Sequence, residues 1–583
     1  MKKKMILAFL GLSLPGLLAA CGIGSGDGGQ GSTAQSSVFE AIPSEESSNA
    51  STDSAAGADS SESADFSAAS DTAAVPLHVL VTSRDMTRWN KESYDTELIF
   101  SDFTLALDEA DAAFYPELAA ALEEQTKTAE SGEAAAIEEL SGEYADLMNY
   151  ASSSDFPNGI SHEKTGSVLR ADSNVVSVRA DESWYLGGAH GSRQISGLNY
   201  DSQSGKSLVL SDVLDDEDTF RSLLISNFRE QNADILDGIF VDLDSYLQGL
   251  SFSDSALAWT IDNEGITLYF QPEELGAYAI GSPSVRVFFA AAEGSIQDKY
   301  SKTAPSGYAV SLDENVEANL NGDGVPETFS LITTDNDEDS LSVSLCVDDQ
   351  LLKIDDYAFS AEAELVVCGD SSGYAYVFTH HENDYTQLYV VDLASLTCDR
   401  EHALDLSPAS RFVTSWTEEG DNWSSKTQLS FTDPLRFELG ERTDLLGTQS
   451  IYRSFHVGAG GVPSSDDTWY LASAPYVLQT KKEITCPLSG EAGNETGTAV
   501  IPKGTFLRMV RTDGDSICDL QEIDRSSLTK EGSDDWSFYT TKLPASPDYQ
   551  KDLYRIRLDT GTYPHTIDGA EEGEVLDGIQ YAG

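Results

Sequence analysis

The apolar positions of this 583-residue chain change their period twice along its length. Val75-Pro76-Leu77-His78-Val79-Leu80-Val81 reads as the start of a strand. From Pro116 to Tyr150, Leu118, Leu122, Ile137, Leu140, Tyr144 and Leu147 recur at helical spacing. Asn174–Ala180 returns to strand character, with Val175, Val176 and Val178 in a polar frame. A second helix is predicted over Asp216–Gln231, with acids at its N-terminus, where the helix dipole favours them. Phe220, Leu223, Leu224 and Phe228 form its single apolar stripe. Ala258–Ile261 and Ile266–Phe270 read as strands joined by the turn Asp262-Asn263-Glu264-Gly265, and Ser284–Ala291 as a further strand. Residues 76–303 are therefore expected to form one α+β domain.

Beyond Gly307 helical spacing nearly vanishes. Short alternations such as Tyr374–Thr379 and Gln387–Asp392 are separated by Gly, Asp and Asn turns, which predicts a β-rich, propeller-like fragment over residues 304–472. The pattern shifts again near residue 473. Pro502-Lys503-Gly504-Thr505-Phe506-Leu507-Arg508-Met509-Val510 reads as a turn entering a strand, as in small SH3-like barrels, so residues 473–583 are expected to form a third domain. The fold class expected is multidomain: α+β, then all-β, then a small SH3-like β-barrel.

The N-terminus has its own pattern. Lys2-Lys3-Lys4 precedes an apolar stretch from Met5 to Leu18, and Leu18-Ala19-Ala20-Cys21 is a lipobox. An ordinary secretory cleavage site takes a small residue at −3, where Leu18 stands. A membrane span needs about 20 apolar residues, and Pro15 interrupts a shorter run. The expectation is a signal peptide over 1–20, lipid attachment at Cys21, and a chain anchored on the extracytoplasmic face of a Gram-positive cell membrane. Residues 22–75 are nearly all Gly, Ser, Ala, Thr, Asp and Glu with no Lys or Arg. Such a segment buries too little apolar surface to offset chain entropy and is expected to be a disordered tether. Its end-to-end distance is about 40 Å.

The formal net charge is −64, and the acid excess grows once Lys2, Lys3 and Lys4 leave with the signal peptide. That field disfavours nucleic acid and anionic lipid headgroups as partners and favours cationic proteins, peptides and divalent metals. Solubility outside the cell accounts for the acidity equally well. Cys346, Cys368, Cys398, Cys486 and Cys518 are widely spaced and form no CxxC pair, which argues against a zinc site or a thioredoxin motif. They read as isolated thiols, with one or two bridges left open.

Trp184-Tyr185-Leu186-Gly187-Gly188-Ala189-His190-Gly191-Ser192 is followed by Asn199-Tyr200-Asp201, Ser204-Gly205-Lys206 and Leu208-Val209-Leu210-Ser211-Asp212-Val213-Leu214. Later come Ile266-Thr267-Leu268-Tyr269-Phe270-Gln271-Pro272-Glu273-Glu274-Leu275 and Ala277-Tyr278-Ala279-Ile280-Gly281. In that order these resemble the extracytoplasmic domain of RsiV-type anti-sigma factors, which sense lysozyme; a similar module precedes the catalytic domain of some peptidoglycan deacetylases. The resemblance covers roughly residues 76–295. It implies recognition of lysozyme-like cationic protein or cell-wall glycan, with Trp184, Tyr185 and His190 as candidate binding residues. A histidine between glycines, as His190 is, more often satisfies backbone groups at a turn. The chain departs from the anti-sigma pattern in having a lipobox and no spanning helix. It departs from the deacetylases in lacking their closely spaced Asp and His motifs; His380-His381 lies in a strand-like run.

Asn319-Leu320-Asn321-Gly322-Asp323-Gly324-Val325-Pro326-Glu327 is the candidate metal site. Oxygen donors Asn319, Asn321, Asp323 and Glu327, the Val325 carbonyl and Gly at the sixth position suit calcium. The twelfth position is Ser330, so the bidentate Glu of an EF-hand is missing; the segment resembles the calcium loops of FG-GAP β-propeller repeats. A turn held by side-chain hydrogen bonds is the alternative. Gly369-Asp370-Ser371-Ser372-Gly373 matches a nucleophile elbow, but strand character on both sides predicts a hairpin. No catalytic residue is assigned. The expected function is non-enzymatic binding of cell-wall material or a lysozyme-like protein. The alternatives are a cell-envelope hydrolase or deacetylase with an unrecognised site, or a structural wall spacer.

Overall fold

The computed structural model describes residues 74–90, 95–150, 159–188, 190–303, 305, 307–336, 340–369, 372–382, 385–409, 411–416, 422–429, 431–473, 477–531, 538–541 and 552–581. The signal peptide expected over 1–20, Cys21 and nearly all of the 21–75 segment lie outside the described residues. Residues 73–583 form one compact unit, predominantly β, with several sheets and few helices.

The first sheet is built from β1 (Val79–Trp89), β2 (Thr96–Leu107), β3 (Ile160–Ala171), β4 (Val175–Tyr185) and β5 (Ser192–Asp201). All these neighbours pair antiparallel except β2 and β3, which run parallel from Leu98↔Ile160. A parallel pair needs a long crossover, supplied by α1 (Glu109–Phe114) and α2 (Pro116–Met148). Pro116 sits at the first turn of α2, where its missing N–H costs nothing. Its apolar stripe divides along its length. Leu118 and Leu122 pack with Phe103, Leu105, Val176 and Val178, while Leu140 and Tyr144 pack with Met86, Leu98, Phe100 and Ile160.

The second predicted helix is α3 (Glu217–Gln231), one residue shorter than expected because Asp216 is its cap, accepting from the Asp218 and Thr219 N–H groups. It lies over a small antiparallel sheet of β6 (Trp259–Ile261), β7 (Gly265–Tyr269) and β8 (Ser284–Phe288). Phe220, Leu224 and Phe228 are fully buried against Ile261, Ile266, Leu268, Val285 and Val287. The turn at 201–205 is closed by the Gly205 N–H donating to the Asp201 carbonyl at 2.8 Å. Gly205 has φ +64, and a Cβ there would meet the Glu117 carbonyl at 2.3 Å.

Downstream, Val316–Ala318, Glu327–Asp335, Leu341–Val347 and Gln350–Ala358 form an antiparallel four-stranded meander. Tyr308–Ser311, Ser360–Val367, Gly373–His380, Thr386–Asp392 and Thr397–Cys398 form a five-stranded sheet. Twelve strands between residues 407 and 577 share a larger sheet, while Arg411–Trp416 and Asn422–Leu429 join the first sheet and two short hairpins stand apart. Among the described residues no sheet closes into a barrel, and the SH3-like β-barrel expected for 473–583 is not confirmed. Strands of that segment continue the sheet entered by Phe437–Thr443 and Gln449–Val457, since Tyr470–Ala472 joins Gln449–Val457 to Phe506–Thr512. A turn entering a strand looks the same locally whether the sheet beyond it is open or closed. One long-range pairing has no local announcement either: Asn422–Leu429 adds antiparallel to β1, with Val81 opposite Leu429.

Candidate functional site: a rim around His190

The hairpin joining β4 to β5 is built by glycine. Trp184 pairs with Ser192 at its base, and Gly187 and Gly188 take φ values of +87 and +116, which side-chain-bearing residues rarely adopt. The Tyr185 hydroxyl donates to the Gly188 carbonyl at 3.2 Å. The His190 ring stacks on Tyr278, with centroids 4.1 Å apart and planes at 24°. The Tyr278 hydroxyl donates to the Gly191 carbonyl at 2.8 Å. Two segments almost ninety positions apart thus meet face to face.

The Tyr278 segment is itself anchored. The Gln271 amide accepts from Ile195 N–H at 2.9 Å and donates to the Ile195 carbonyl at 2.7 Å, clamping the loop to β5. Glu274 accepts from Gln271 N–H at 2.6 Å. Phe240, on the strip beside it, donates its N–H to the Leu275 carbonyl at 2.9 Å. The result is a rim that leaves Leu186, His190, Tyr278 and Phe240 exposed, Phe240 to 76%. The arginine at the foot of the hairpin, Arg193, is paired with Asp181.

Of the three candidate binding residues, Tyr185 and His190 join this rim. Trp184 does not. Successive strand residues face opposite sides, and Trp184 lies half-buried in an edge-to-face row with His162 (6.4 Å), which in turn meets Phe100 (5.9 Å). Sequence spacing did not single out Tyr278 or Phe240; the nearest trace was an aromatic in a glycine-bounded turn.

His162 also carries a pH-dependent contact, to Glu182 at 2.7 Å. That hydrogen bond raises the imidazole pKa above its ordinary value and lowers that of the Glu182 carboxyl. The histidine contribution is fully present below about pH 6.5 and is lost as pH rises through the raised value. The glutamate contribution is present above about pH 4.5 and is lost as pH falls through the lowered value. The His162→Gln protein should therefore lose more stability, relative to wild type, at pH 5.5 than at pH 9, as read from urea midpoints at both. An equal loss at the two pH values would contradict the pairing.

The 319–327 segment is drawn together into a turn. The Asn321 Oδ1 accepts from Asp323 N–H at 2.7 Å, and Asp323 Oδ1 accepts from Val325 N–H at 2.8 Å. Glu327 Oε2 accepts from Leu320 N–H at 3.1 Å, and its Oε1 accepts from the Asn321 amide. Asn319 completes the set from the strand side, donating its N–H to Glu264 Oε1 at 3.1 Å. Among the described residues no three His, Cys, Asp or Glu side chains converge to hold an ion by themselves. The segment carries two carboxylates, two side-chain amides and the Val325 main-chain carbonyl at calcium-type spacing, and the hydrogen bonds described hold it as a turn.

Other candidate chemistry resolves into structure. Ser360–Val367 and Gly373–His380 pair as a hairpin around Gly369–Gly373, whose Asp370 and Ser371 lie outside the described residues. His380 and His381 contact Glu362 and Asp355, each at 3.2 Å. A cleft of about 600 Å³ beside them is lined by Asp355, Asp356, Cys398 and Arg400 among others. Burial pushes the Cys398 thiol up to about 11, so it stays protonated and poorly nucleophilic at neutral pH. All five described cysteines are unbridged.

No family model and no curated protein matches the chain. Among solved structures it is similar to a DUF3298 family protein from Pseudomonas aeruginosa PAO1, with 17% identity and a TM-score of 0.26, over 38% of this chain and 95% of that one. A DUF3298 family member from Bacteroides fragilis is similar at 14% identity, with the same TM-score and coverage. Likenesses this distant assign neither a fold nor a function.

Proposed function

We propose that this chain is a cell-surface lipoprotein of a Gram-positive bacterium, anchored to the membrane through a lipid on Cys21. Its RsiV-like α+β domain, residues 76–303, binds a lysozyme-like cationic protein or cell-wall material without catalysing a reaction. The observation that carries this reading is the exposed His190 ring stacked on Tyr278, with exposed Leu186 on the same hairpin and exposed Phe240 on the segment bonded to Leu275. Apolar and aromatic side chains presented on a polar, braced frame are what a partner surface buries. The partner's charge follows from the chain's own: at −64, electrostatic attraction accelerates encounter with a cationic partner and weakens with salt.

The test immobilises the mature chain and titrates a cationic muramidase against it. Binding is expected at about 20 mM salt and is expected to weaken roughly 10-fold or more by about 300 mM, as the Debye length shrinks. A parallel sedimentation with purified peptidoglycan separates the two partner classes. Binding to neither ligand at low salt would overturn the proposal.

A further inference from the structure

We infer that Tyr563, His565 and Tyr581, gathered around the buried carboxylate of Glu572, form a binding site for the ammonium group of a cationic ligand. The site is built by the 559–581 segment and does not depend on the rim at His190. Its frame is fixed by backbone hydrogen bonds. Asp559 and Thr566 exchange a pair at 2.9 and 3.2 Å, closing the loop that carries Tyr563. The Glu572 N–H donates to the His565 carbonyl at 2.9 Å. The Thr448 N–H donates to the Gln580 carbonyl at 2.8 Å, which seats Tyr581.

The Tyr563 ring meets His565 at 5.9 Å and Tyr581 at 5.3 Å between centroids, with planes at 88° and 64°. Rings at these angles make a corner rather than a stack. Tyr563 is 68% exposed, so the corner opens to solvent. An aromatic face attracts a cation that comes within about 6 Å of its centre, and more strongly where water is excluded.

Glu572 points to a ligand independently of the rings. It is 1% exposed. Its Oε1 accepts from the Tyr581 hydroxyl and, at 3.2 Å, from the His565 N–H, so the carboxylate is turned towards the corner. Its Oε2 is buried and has no hydrogen-bond partner. Lys481 reaches this segment but gives its ammonium to the Gly573 carbonyl at 2.9 Å. A buried acceptor left without a donor is costly, and a ligand ammonium at the corner brings the compensating charge. Burial and the hydrogen bond to Glu572 push the Tyr581 phenol up, so it remains the donor of that bond, and Asp444 adds a further negative charge nearby.

The test is ligand-observed NMR on the mature protein at about 0.15 M salt, where diffuse attraction to the acidic surface is screened. Choline chloride and Nα-acetyl-lysine amide are the two probes, and dimethylbutanol, the neutral carbon isostere of choline, is the control. At least one ammonium probe should saturate with a dissociation constant on the order of 10⁻³ M, the range for so few heavy atoms. Choline binding alone marks a quaternary ammonium as the source, and binding of the lysine amide marks a protein side chain. Tyr563→Ala should weaken binding roughly 5-fold or more at an unchanged melting temperature, because Tyr563 is exposed. Glu572→Gln keeps an acceptor for Tyr581 and His565 while removing the charge, and should bring choline down to the level of its neutral isostere. The site is overturned if neither ammonium probe saturates up to about 20 mM, or if dimethylbutanol binds wild type as well as choline does. Wild-type affinity in Tyr563→Ala would overturn it equally.

Discussion

Replacing Asp519 with alanine should cost roughly 3–5 kcal/mol of stability, the range found when one partner of a buried ion pair is removed. Asp519 is fully buried and holds two arginines that are themselves almost fully buried. Arg511 Nε reaches one carboxylate oxygen at 2.8 Å, and Arg555 Nε reaches the other at the same distance. Ser489 Oγ donates to the carboxylate and accepts from both guanidinium groups. Trp469 lies beneath both, at 4.8 and 4.9 Å from its ring centre. One carboxylate therefore compensates two cations, and alanine would leave both buried without a counter-charge. Urea unfolding monitored by tryptophan fluorescence and by circular dichroism is the check. A loss under about 1 kcal/mol, the range of solvent-screened surface pairs, would mean that solvent already screens the cluster.

A second large effect is expected in the other core. Phe220→Ala should cost about 3–5 kcal/mol, as large-to-small changes at fully buried aromatics do. Phe220 is 0% exposed and meets Phe252 edge-to-face at 5.7 Å. Truncation would leave a cavity between α3 and the β6–β8 sheet that the neighbouring rings fill only in part. Ser222→Ala, two residues along the same helix but exposed, should stay within about 0.5 kcal/mol. Comparable losses in the two variants would show that α3 is not held by its apolar stripe.

The two cases mark where the sequence is readable. Phe220, Leu224 and Phe228 recur at helical spacing, and a solvated face separates them, so both the helix and its buried side are written locally. Asp519, Arg511 and Arg555 stand on three different strands. A charged residue inside an alternating strand reads as solvent-facing, and only the paired register reveals that these three meet. The same division holds at the rim. His190 was a candidate through the resemblance, and the positive φ of Gly187 and Gly188 builds the corner beside it. Strand parity sends Trp184 and Tyr185 to opposite faces, so their adjacency in sequence is not adjacency in space. Tyr278 and Phe240 arrive from segments whose distance along the chain hides them. Likewise Asn422–Leu429 pairs with β1 across more than three hundred residues, and no local period encodes such a partner. The turn at 319–327 was legible because its Asn, Asp and Gly positions lie within nine residues. Glu264, which holds its first residue, was not.

The most direct test of recognition by the rim compares wild type with Tyr278→Ala. Tyr278 is 38% exposed, so its removal should leave the fold intact while stripping the stack from His190. The account predicts that affinity for the cationic muramidase, or for peptidoglycan if that is the ligand found, falls about 10-fold or more, in the range of interface hot spots. The melting temperature should be unchanged. Undiminished binding by Tyr278→Ala, at low salt and with wild-type stability, would contradict it.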